Sequence, residues 1–191
     1  SQITACTYHS FYAKMLRKYS QLIGIQSDYT IIDPGDCADI ISIIETEHGM
    51  DKVKDFPRSS QLVSAHSKAL NTNQSLEDTL FDMFGKWKYM EIERFIPDIK
   101  KILADYQSYK KQNNMMDYDD LLINFISVLK RNPSIKNKLA DIYQYIMIDE
   151  YQDSNYLQEK IIFMLREKNR NLAVVGDDYQ CIYGFRGSMV E

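Results

Sequence analysis

The sequence predicts an α/β fold in which a partial parallel sheet is interrupted by a long, mostly α-helical segment. Two apolar runs near the carboxyl end predict the sheet: Ile-Met-Ile before Asp149 and Leu-Ala-Val-Val before Gly176. A strand that is apolar on both faces belongs in a parallel sheet covered by helices. Between residues 11 and 140, by contrast, the apolar residues recur at helical spacing and predict no strand.

The elements can be predicted in chain order. Residues 3–7 predict a short strand, and Ser10 is expected to cap a helix that ends near Gly24. Asp33 precedes a proline and is expected to cap a second helix that ends near Gly49. Further helices are predicted over residues 58–70, 75–84, 89–111 and 117–130, with Pro97 kinking or restarting the third of these.

Composition indicates a globular protein of one domain or two small ones. The chain has 191 residues, of which 45% are apolar and 26% charged, with only 7 Gly and 4 Pro. Cys6, Cys37 and Cys181 are odd in number and lack CxxC spacing, so neither a zinc site nor a disulfide framework is indicated. No apolar run is long enough to span a membrane. We therefore expect a cytoplasmic protein.

Acidic residues follow both predicted strands. Asp149 and Glu150 come directly after the first strand, and Asp177 follows the second. Parallel sheets bind ligands outside the carboxyl ends of their strands, and carboxylates there can hold Mg²⁺ together with substrate phosphates. This arrangement suggests nucleotide hydrolysis. An acidic pair after an apolar strand is also compatible with a solvated turn.

Five stretches resemble the UvrD/Rep/PcrA family of superfamily 1 DNA helicases. DEYQDSN at 149–155 and VVGDDYQCIYGFRGS at 174–188 are similar to motifs II and III of that family. TYHSF at 7–11 resembles its TFHS motif, and MDYDDLL at 116–122 resembles its LDFDDL segment. The stretch YTIIDP at 29–34 resembles SILDP, and all five stretches occur in the family's order.

The resemblance implies a domain organisation. Residues 1–20 and 130–191 would belong to a RecA-like motor domain of the P-loop NTPase type, and residues 21–129 would form a helical accessory insertion. The chain contains no GxxxxGK[ST] loop, which in the family lies upstream of the TFHS motif. We therefore expect an internal piece of a longer protein that is inactive in ATP hydrolysis by itself.

The resemblance also implies roles at the nucleotide site, with ATP and Mg²⁺ as cofactors. Asp149 would bind Mg²⁺, and Glu150 would take the proton from the water that attacks the γ-phosphate. Gln180 would sense the γ-phosphate, although an ordinary loop-capping glutamine is the alternative. Arg186 would couple the nucleotide site to the DNA strand.

Four residues are implied to contact single-stranded DNA: Thr7, His9, Phe185 and Arg186. Phe185 stands where the family usually has tryptophan, so the area available for stacking on a base is smaller. Thr7 and His9 could instead form a capping cluster at the start of a helix.

Other polar residues have simpler explanations. Asp117, Asp119 and Asp120 are expected in the first turn of a helix, where the helix dipole favours acids. His48 and His66 show no metal-binding spacing and are interpreted as surface residues. The net charge of -4 is not typical of a nucleic-acid-binding protein, although stacking on aromatic side chains can hold a single strand.

The sequence therefore predicts part of an ATP-dependent DNA helicase that moves along single-stranded DNA and unwinds duplex DNA in the 3′ to 5′ direction. Its expected partners are single-stranded and forked DNA and repair or recombination proteins, with no membrane, in a bacterial-type cytoplasm and with a nucleoid-associated function. One alternative is the helicase arm of a helicase-nuclease of the AddA/RecB kind. Others are a non-catalytic DNA-binding or protein-docking module and an ATPase that acts on something other than DNA.

Overall fold

The computed structural model describes residues 3–177 and divides into two compact units. Of the described residues, 3–28 and 118–177 belong to the first unit, and residues 29–117 form the second unit. The second unit thus lies within the range 21–129 that the sequence predicts for a helical insertion. The assignment of the two units to a motor domain and an accessory domain stays a prediction.

The described residues contain eight α-helices and four short strands. In chain order they are α1 (Tyr8–Tyr19), β1 (Thr30–Ile31), α2 (Pro34–Glu47), α3 (Ser59–Thr72), α4 (Leu76–Ile92), α5 (Ile96–Gln112), β2 (Met115–Met116), α6 (Tyr118–Arg131), α7 (Pro133–Ile142), β3 (Ile146–Ile148), α8 (Tyr156–Arg166) and β4 (Leu172–Val174). The strands pair in parallel, β1 with β2 and β3 with β4, so the fold is α/β as predicted.

Helix α1 begins one turn earlier than the sequence predicts. Thr7 caps it, because the Thr7 hydroxyl accepts the backbone N–H of Ser10 at 3.3 Å. The prediction of Ser10 as the cap is therefore wrong. A short 3₁₀ turn follows the helix, and Gly24 ends it with a φ of +78°, which confirms the predicted stop.

The core of the first unit forms where α6 packs against α1 and α8. Phe125 of α6 is fully buried, and its ring contacts the ring of Tyr12 with centroids 5.7 Å apart. The Phe11 ring packs edge-on against the Phe125 ring, with centroids 6.2 Å apart. The other buried apolar residues of α1, α6 and α8 include Met15, Leu16, Tyr19, Leu121, Leu122, Ile126, Val128, Leu129, Leu157, Ile161, Ile162 and Leu165. This packing supports the sheet from one side.

Strands β3 and β4 are joined through α8 and lie in register, with Ile146 opposite Leu172 and Ile148 opposite Val174. The expectation that both faces of these strands are buried is not met: only Ile148 is buried, and its pairing partner Val174 is 46% exposed. Ile148 is 6% exposed, whereas Met147, which points to the opposite face, is 79% exposed. Within residues 3–177, one face of this sheet is therefore open.

Residues 3–7 do not form the predicted strand. They join neither of the two described sheets, and Ile3 is 93% exposed. A strand is defined by its ladder of backbone hydrogen bonds, so an apolar sequence alone does not make one.

Helices α2 to α5 form the second unit around one apolar core. Its buried members are Ile32, Cys37, Ile40, Ile41, Ile44, Leu62, Ala65, Leu80, Ile92, Phe95, Ile99, Ile102, Leu103 and Tyr106. Helix α2 starts with the predicted cap, since the Asp33 carboxylate accepts the N–H of Gly35 at 2.7 Å and of Asp36 at 3.0 Å. The expectation of no strand between residues 11 and 140 is wrong, because β1 and β2 lie there. Two residues per strand are too few to show an alternating pattern.

The range of α4 joins two helical stretches across Gly85, so the predicted end of the first stretch near residue 84 is confirmed. Gly85 interrupts α4 with a φ of +70° and a ψ of 164°, which are not helical values. Just beyond this break, the single tryptophan of the chain, Trp87, is 81% exposed. Pro97 lies in the first turn of α5 and therefore restarts the helix rather than kinking it.

Across the part of the chain that the structure describes, every helix falls short of the length and apolar content that crossing a bilayer requires.

Candidate functional site

The parallel pairing of β3 and β4 brings two acidic segments to one edge of the sheet. Beyond the strands, the N–H of Val175 donates to the carbonyl of Ile148 at 2.8 Å, and the N–H of Tyr151 donates to the carbonyl of Val175 at 2.9 Å. Asp149 and Glu150 therefore leave the sheet next to residues 176–177. Asp149, Glu150 and Asp177 are all exposed to solvent.

Glu150 has an unusual backbone conformation. Its φ of 53° and ψ of 44° place it in the left-handed region, which costs a residue with a side chain about 1 kcal/mol or more. The Asp149 carboxylate accepts the N–H of Glu150 at 3.1 Å, and the 3₁₀ turn Tyr151–Asp153 follows at once. Strained residues of this kind concentrate at functional sites, so the conformation is consistent with a functional role for Glu150.

Gln152 ties the two acidic segments together. Its side-chain amide donates to the Glu150 carboxylate at 2.6 Å, and its carbonyl oxygen accepts the backbone N–H of Asp177 at 3.0 Å. Gln152 is only 5% exposed, whereas Glu150 and Asp177 are exposed, so these hydrogen bonds are partly buried. The sequence alone does not predict this role of Gln152. The available signal was an uncharged polar side chain inside an acidic run, DEYQD.

Gly176 provides the space that Gln152 occupies. A Cβ atom added at Gly176 would lie 2.6 Å from the side-chain oxygen of Gln152 and 3.3 Å from its backbone nitrogen. The first distance is well inside van der Waals contact. A glycine is therefore required at this strand end if Gln152 is to bridge the two segments.

The loop after Glu150 is anchored on α8. The Tyr151 hydroxyl donates to the Glu159 carboxylate at 2.5 Å. Burial, followed by this hydrogen bond and the charge of Glu159, raises the pKa of Tyr151 to about 12. Asn155 caps α8 by accepting the N–H of Gln158 at 2.9 Å, and the Gln158 side chain accepts the N–H of Asn155 in return. The acidic pair thus stands on a fixed loop.

The two described residues that the sequence places at the DNA strand lie at the start of α1. Besides capping the helix, the Thr7 hydroxyl donates to the Ser10 hydroxyl at 2.9 Å. The His9 ring meets the Tyr118 ring edge-on, with centroids 5.3 Å apart. The capping alternative is therefore confirmed for Thr7, while contacts of Thr7 and His9 with DNA stay predictions. Gln180, Phe185 and Arg186 lie outside the described residues, as does Cys181.

The donors at the sheet edge suit a hard cation. Asp149, Glu150 and Asp177 offer carboxylate oxygens, the ligands that Mg²⁺ prefers, and Mg²⁺ commonly needs only one or two of them beside phosphate and water. A cage of three or more metal-binding side chains is not found within residues 3–177. The residues present therefore fit a magnesium ion that a bound phosphate group helps to hold.

Comparison with known proteins identifies the family of this chain. The UvrD/REP helicase N-terminal domain matches residues 1–191. The chain belongs to this helicase family. Proteins named ATP-dependent DNA helicase PcrA from Staphylococcus aureus strain Mu50 and Staphylococcus epidermidis strain RP62A are each 31% identical to it over 185 residues. The match covers 97% of this chain and 24% of each relative, so the chain spans about a quarter of their length.

In this UvrD/REP helicase domain, one acid that the sequence places in a helix first turn has a different position. Asp117 precedes α6 and is 9% exposed. It forms an ion pair with Lys110, which is 1% exposed, and accepts the Tyr106 hydroxyl at 2.9 Å. Asp117 thus lies directly before the helix rather than in its first turn, and it has a buried partner, Lys110, that the helix-dipole explanation does not include. Asp119 and Asp120 do lie in the first turn of α6.

His48 and His66, interpreted from the sequence as surface residues, are both partly exposed and have polar side-chain neighbours. His66 is partly buried in the second unit, and its Nε2 is 2.9 Å from the side-chain nitrogen of Gln107. Burial, with a further contribution from the charge of Lys110, lowers the pKa of His66. His48 is also partly buried and lies 2.7 Å from the Asp105 carboxylate. His66 lies within α3, whereas His48 is the residue that follows the last turn of α2.

Proposed function

We propose that the protein to which this chain belongs hydrolyses ATP and uses the energy to move along single-stranded DNA, unwinding duplex DNA in the 3′ to 5′ direction. One observation carries the proposal. Two parallel strands end together in exposed acids, and a buried glutamine holds the central acid, Glu150, in place. Membership of the UvrD/REP helicase family supports the same reaction.

The proposed division of labour follows from the positions of the side chains. Asp149 would hold Mg²⁺, which supplies charge stabilisation to the phosphates when bound. Glu150 would accept the proton of the attacking water, because its carboxylate is exposed at the same edge. Gln152 would orient Glu150, since its amide donates to one carboxylate oxygen and leaves the other to face the water.

The remaining proposed roles rest on the family resemblance. Gln180 would contact the γ-phosphate, and Arg186 would couple that site to the DNA strand. Phe185 would stack on a base, while Thr7 and His9 would contact the strand at the start of α1. Aromatic rings and polar side chains can hold a single strand without a strongly basic surface. Single-stranded and forked DNA are the proposed ligands, with repair or recombination proteins as partners in the cytoplasm.

The two units would have different places in the longer protein. The first unit would belong to a RecA-like motor domain, and the second unit would be its helical accessory domain. Residues 1–191 contain no phosphate-binding loop, so we propose that this chain alone does not hydrolyse ATP. The loop would come from another part of the protein.

The decisive experiment replaces the proposed base in the intact protein. With Glu150→Gln, we expect ATP binding to be kept and steady-state hydrolysis to fall by about 10²- to 10⁴-fold, the usual contribution of a general base. Glu167→Gln, which changes an exposed acid on the same unit, is the matched control and should hydrolyse ATP at the wild-type rate. Near-normal turnover of Glu150→Gln would remove Glu150 from this role and leave the proposal without its central residue.

A further inference from the structure

A hydrogen bond joins the two functional segments of the first unit. The hydroxyls of Tyr8 and Ser154 are 2.9 Å apart, although 146 positions separate them in the chain. Tyr8 lies between Thr7 and His9, the residues proposed to contact DNA. Ser154 closes the 3₁₀ turn that Glu150 begins, since its N–H donates to the Tyr151 carbonyl at 2.9 Å. The bond therefore spans from the proposed DNA segment to the proposed catalytic loop.

We propose that the Tyr8–Ser154 hydrogen bond makes Tyr8 a positioning residue that couples DNA binding at the start of α1 to nucleotide binding at the acidic loop. The inference rests on the proposed function, because it needs ligands at both places. Two sites are coupled when a ligand at one changes the affinity at the other, and the effect is reciprocal.

Both ends of the bond are held in place. Ser154 is 2% exposed, and it follows directly on the loop that Tyr151 anchors to Glu159. The Tyr8 ring stacks on the Tyr12 ring, with centroids 6.0 Å apart and planes at 25°. A displacement of the Tyr8 backbone by a bound strand would therefore pull on Ser154 rather than be absorbed by side-chain rotation.

The Tyr8 hydroxyl is able to donate the hydrogen bond to Ser154. Burial raises the pKa of Tyr8, so the phenol stays protonated across the physiological range and can donate. The TFHS pattern that this segment resembles has phenylalanine at this place, so the hydroxyl is a feature of this chain rather than of the pattern. Tyr8→Phe consequently removes the bond while retaining the ring.

The chain provides a matched control one turn along the same helix. The Tyr12 hydroxyl is buried and has no hydrogen-bond partner among the described residues. Tyr12→Phe therefore removes a buried hydroxyl from the same stack without breaking a hydrogen bond. Ser154→Ala removes the other end of the bond, and the double variant Tyr8→Phe/Ser154→Ala tests whether the two changes act through one contact.

The test measures the affinity of the intact protein for a labelled single-stranded oligonucleotide by fluorescence anisotropy, with and without a non-hydrolysable ATP analogue. The ratio of the two dissociation constants reports the coupling. We expect Tyr8→Phe and Ser154→Ala each to bring this ratio closer to one by about twofold to tenfold, the range for one hydrogen bond. The double variant should match the single variants, and Tyr12→Phe should match the wild type.

Several results would overturn the inference. These are a wild-type ratio of one, an unchanged ratio in Tyr8→Phe, or an equal shift in Tyr12→Phe. Additive effects in the double variant would likewise show that the hydroxyls act separately. Hydrolysis of ATP by the wild-type protein, stimulated by single-stranded DNA, is measured in parallel. Its absence would refute the proposed function itself, whereas its presence with an unchanged Tyr8→Phe ratio would refute only the coupling.

Discussion

Asp149 in the first unit and Asp117 in the second unit occupy equivalent places and have opposite surroundings. Each follows directly on a strand that pairs in parallel with its neighbour, β3 for Asp149 and β2 for Asp117. Asp149 is exposed at the sheet edge, whereas Asp117 is 9% exposed and paired with Lys110. A position after a parallel strand is therefore not sufficient to make an acid functional. Whether such an acid is free to bind a ligand or serves as a structural contact depends on the groups that surround its carboxylate.

Removal of the cation beside Asp117 tests whether this acid is a buried structural contact, and it should change the stability of the protein more than the other substitutions below. Lys110→Met leaves the Asp117 carboxylate buried without its cation, so we expect the free energy of unfolding to fall by about 3 to 5 kcal/mol. Urea denaturation followed by far-UV circular dichroism measures the change. Lys100→Met breaks the exposed pair with Glu77 and is the matched control, with no measurable change expected. Equal stability of the two variants would show that Asp117 is solvated like Asp149.

A substitution at Gly176 tests whether Gln152 positions Glu150 at the proposed site. Gly176→Ala places a methyl group 2.6 Å from the Gln152 oxygen, so Gln152 must move and release Glu150. In the intact protein we expect ATP hydrolysis to fall by at least about tenfold, with a loss of stability of about 1 to 3 kcal/mol from overpacking. Gly49→Ala, at a φ of +70° with open space around it, should destabilise the protein by backbone strain alone. If both variants hydrolyse ATP normally, Gln152 does not position Glu150.

The change of folding stability with pH should be smaller than the effects of these substitutions. The pKa of His66 is lowered in the folded protein, so below about pH 6.5 the unfolded chain binds a proton that the folded one resists. Stability should therefore fall as the pH drops from about 7 towards the folded-state pKa, by at most about 1.4 kcal/mol per pH unit for one proton. His66→Gln should flatten this dependence, as measured by urea midpoints between about pH 7.5 and 5.5. An unchanged slope would assign the pH dependence to other groups.

Much of the helical content could be predicted because its causes are local. The cap at Asp33, the stop at Gly24 and the start of α5 at Pro97 depend on neighbouring residues only. The short pair β1 and β2 could not be predicted, because its pairing joins residues about 85 positions apart and leaves no periodic pattern in either strand.

The site could be predicted in part for the same reason. The acidic run at 149–150 is a local signal, and the parallel register then fixes its position next to residues 176–177. The roles of Gln152 and Gly176 depend on an approach between two segments, and no short stretch of sequence encodes it. Likewise, the acidic run that contains Asp117 does mark the start of α6, but the buried contact of Asp117 with Lys110 could not be predicted from that run.

The break at Gly85 has an optical consequence. It precedes the only indole of the chain, Trp87, which is 81% exposed in the native fold. An indole that is already hydrated changes its emission wavelength little when the polypeptide unfolds. The wavelength of tryptophan emission would therefore be a poor measure of denaturation in this protein. A ligand or partner that covers Trp87 would instead shift the emission clearly to shorter wavelength.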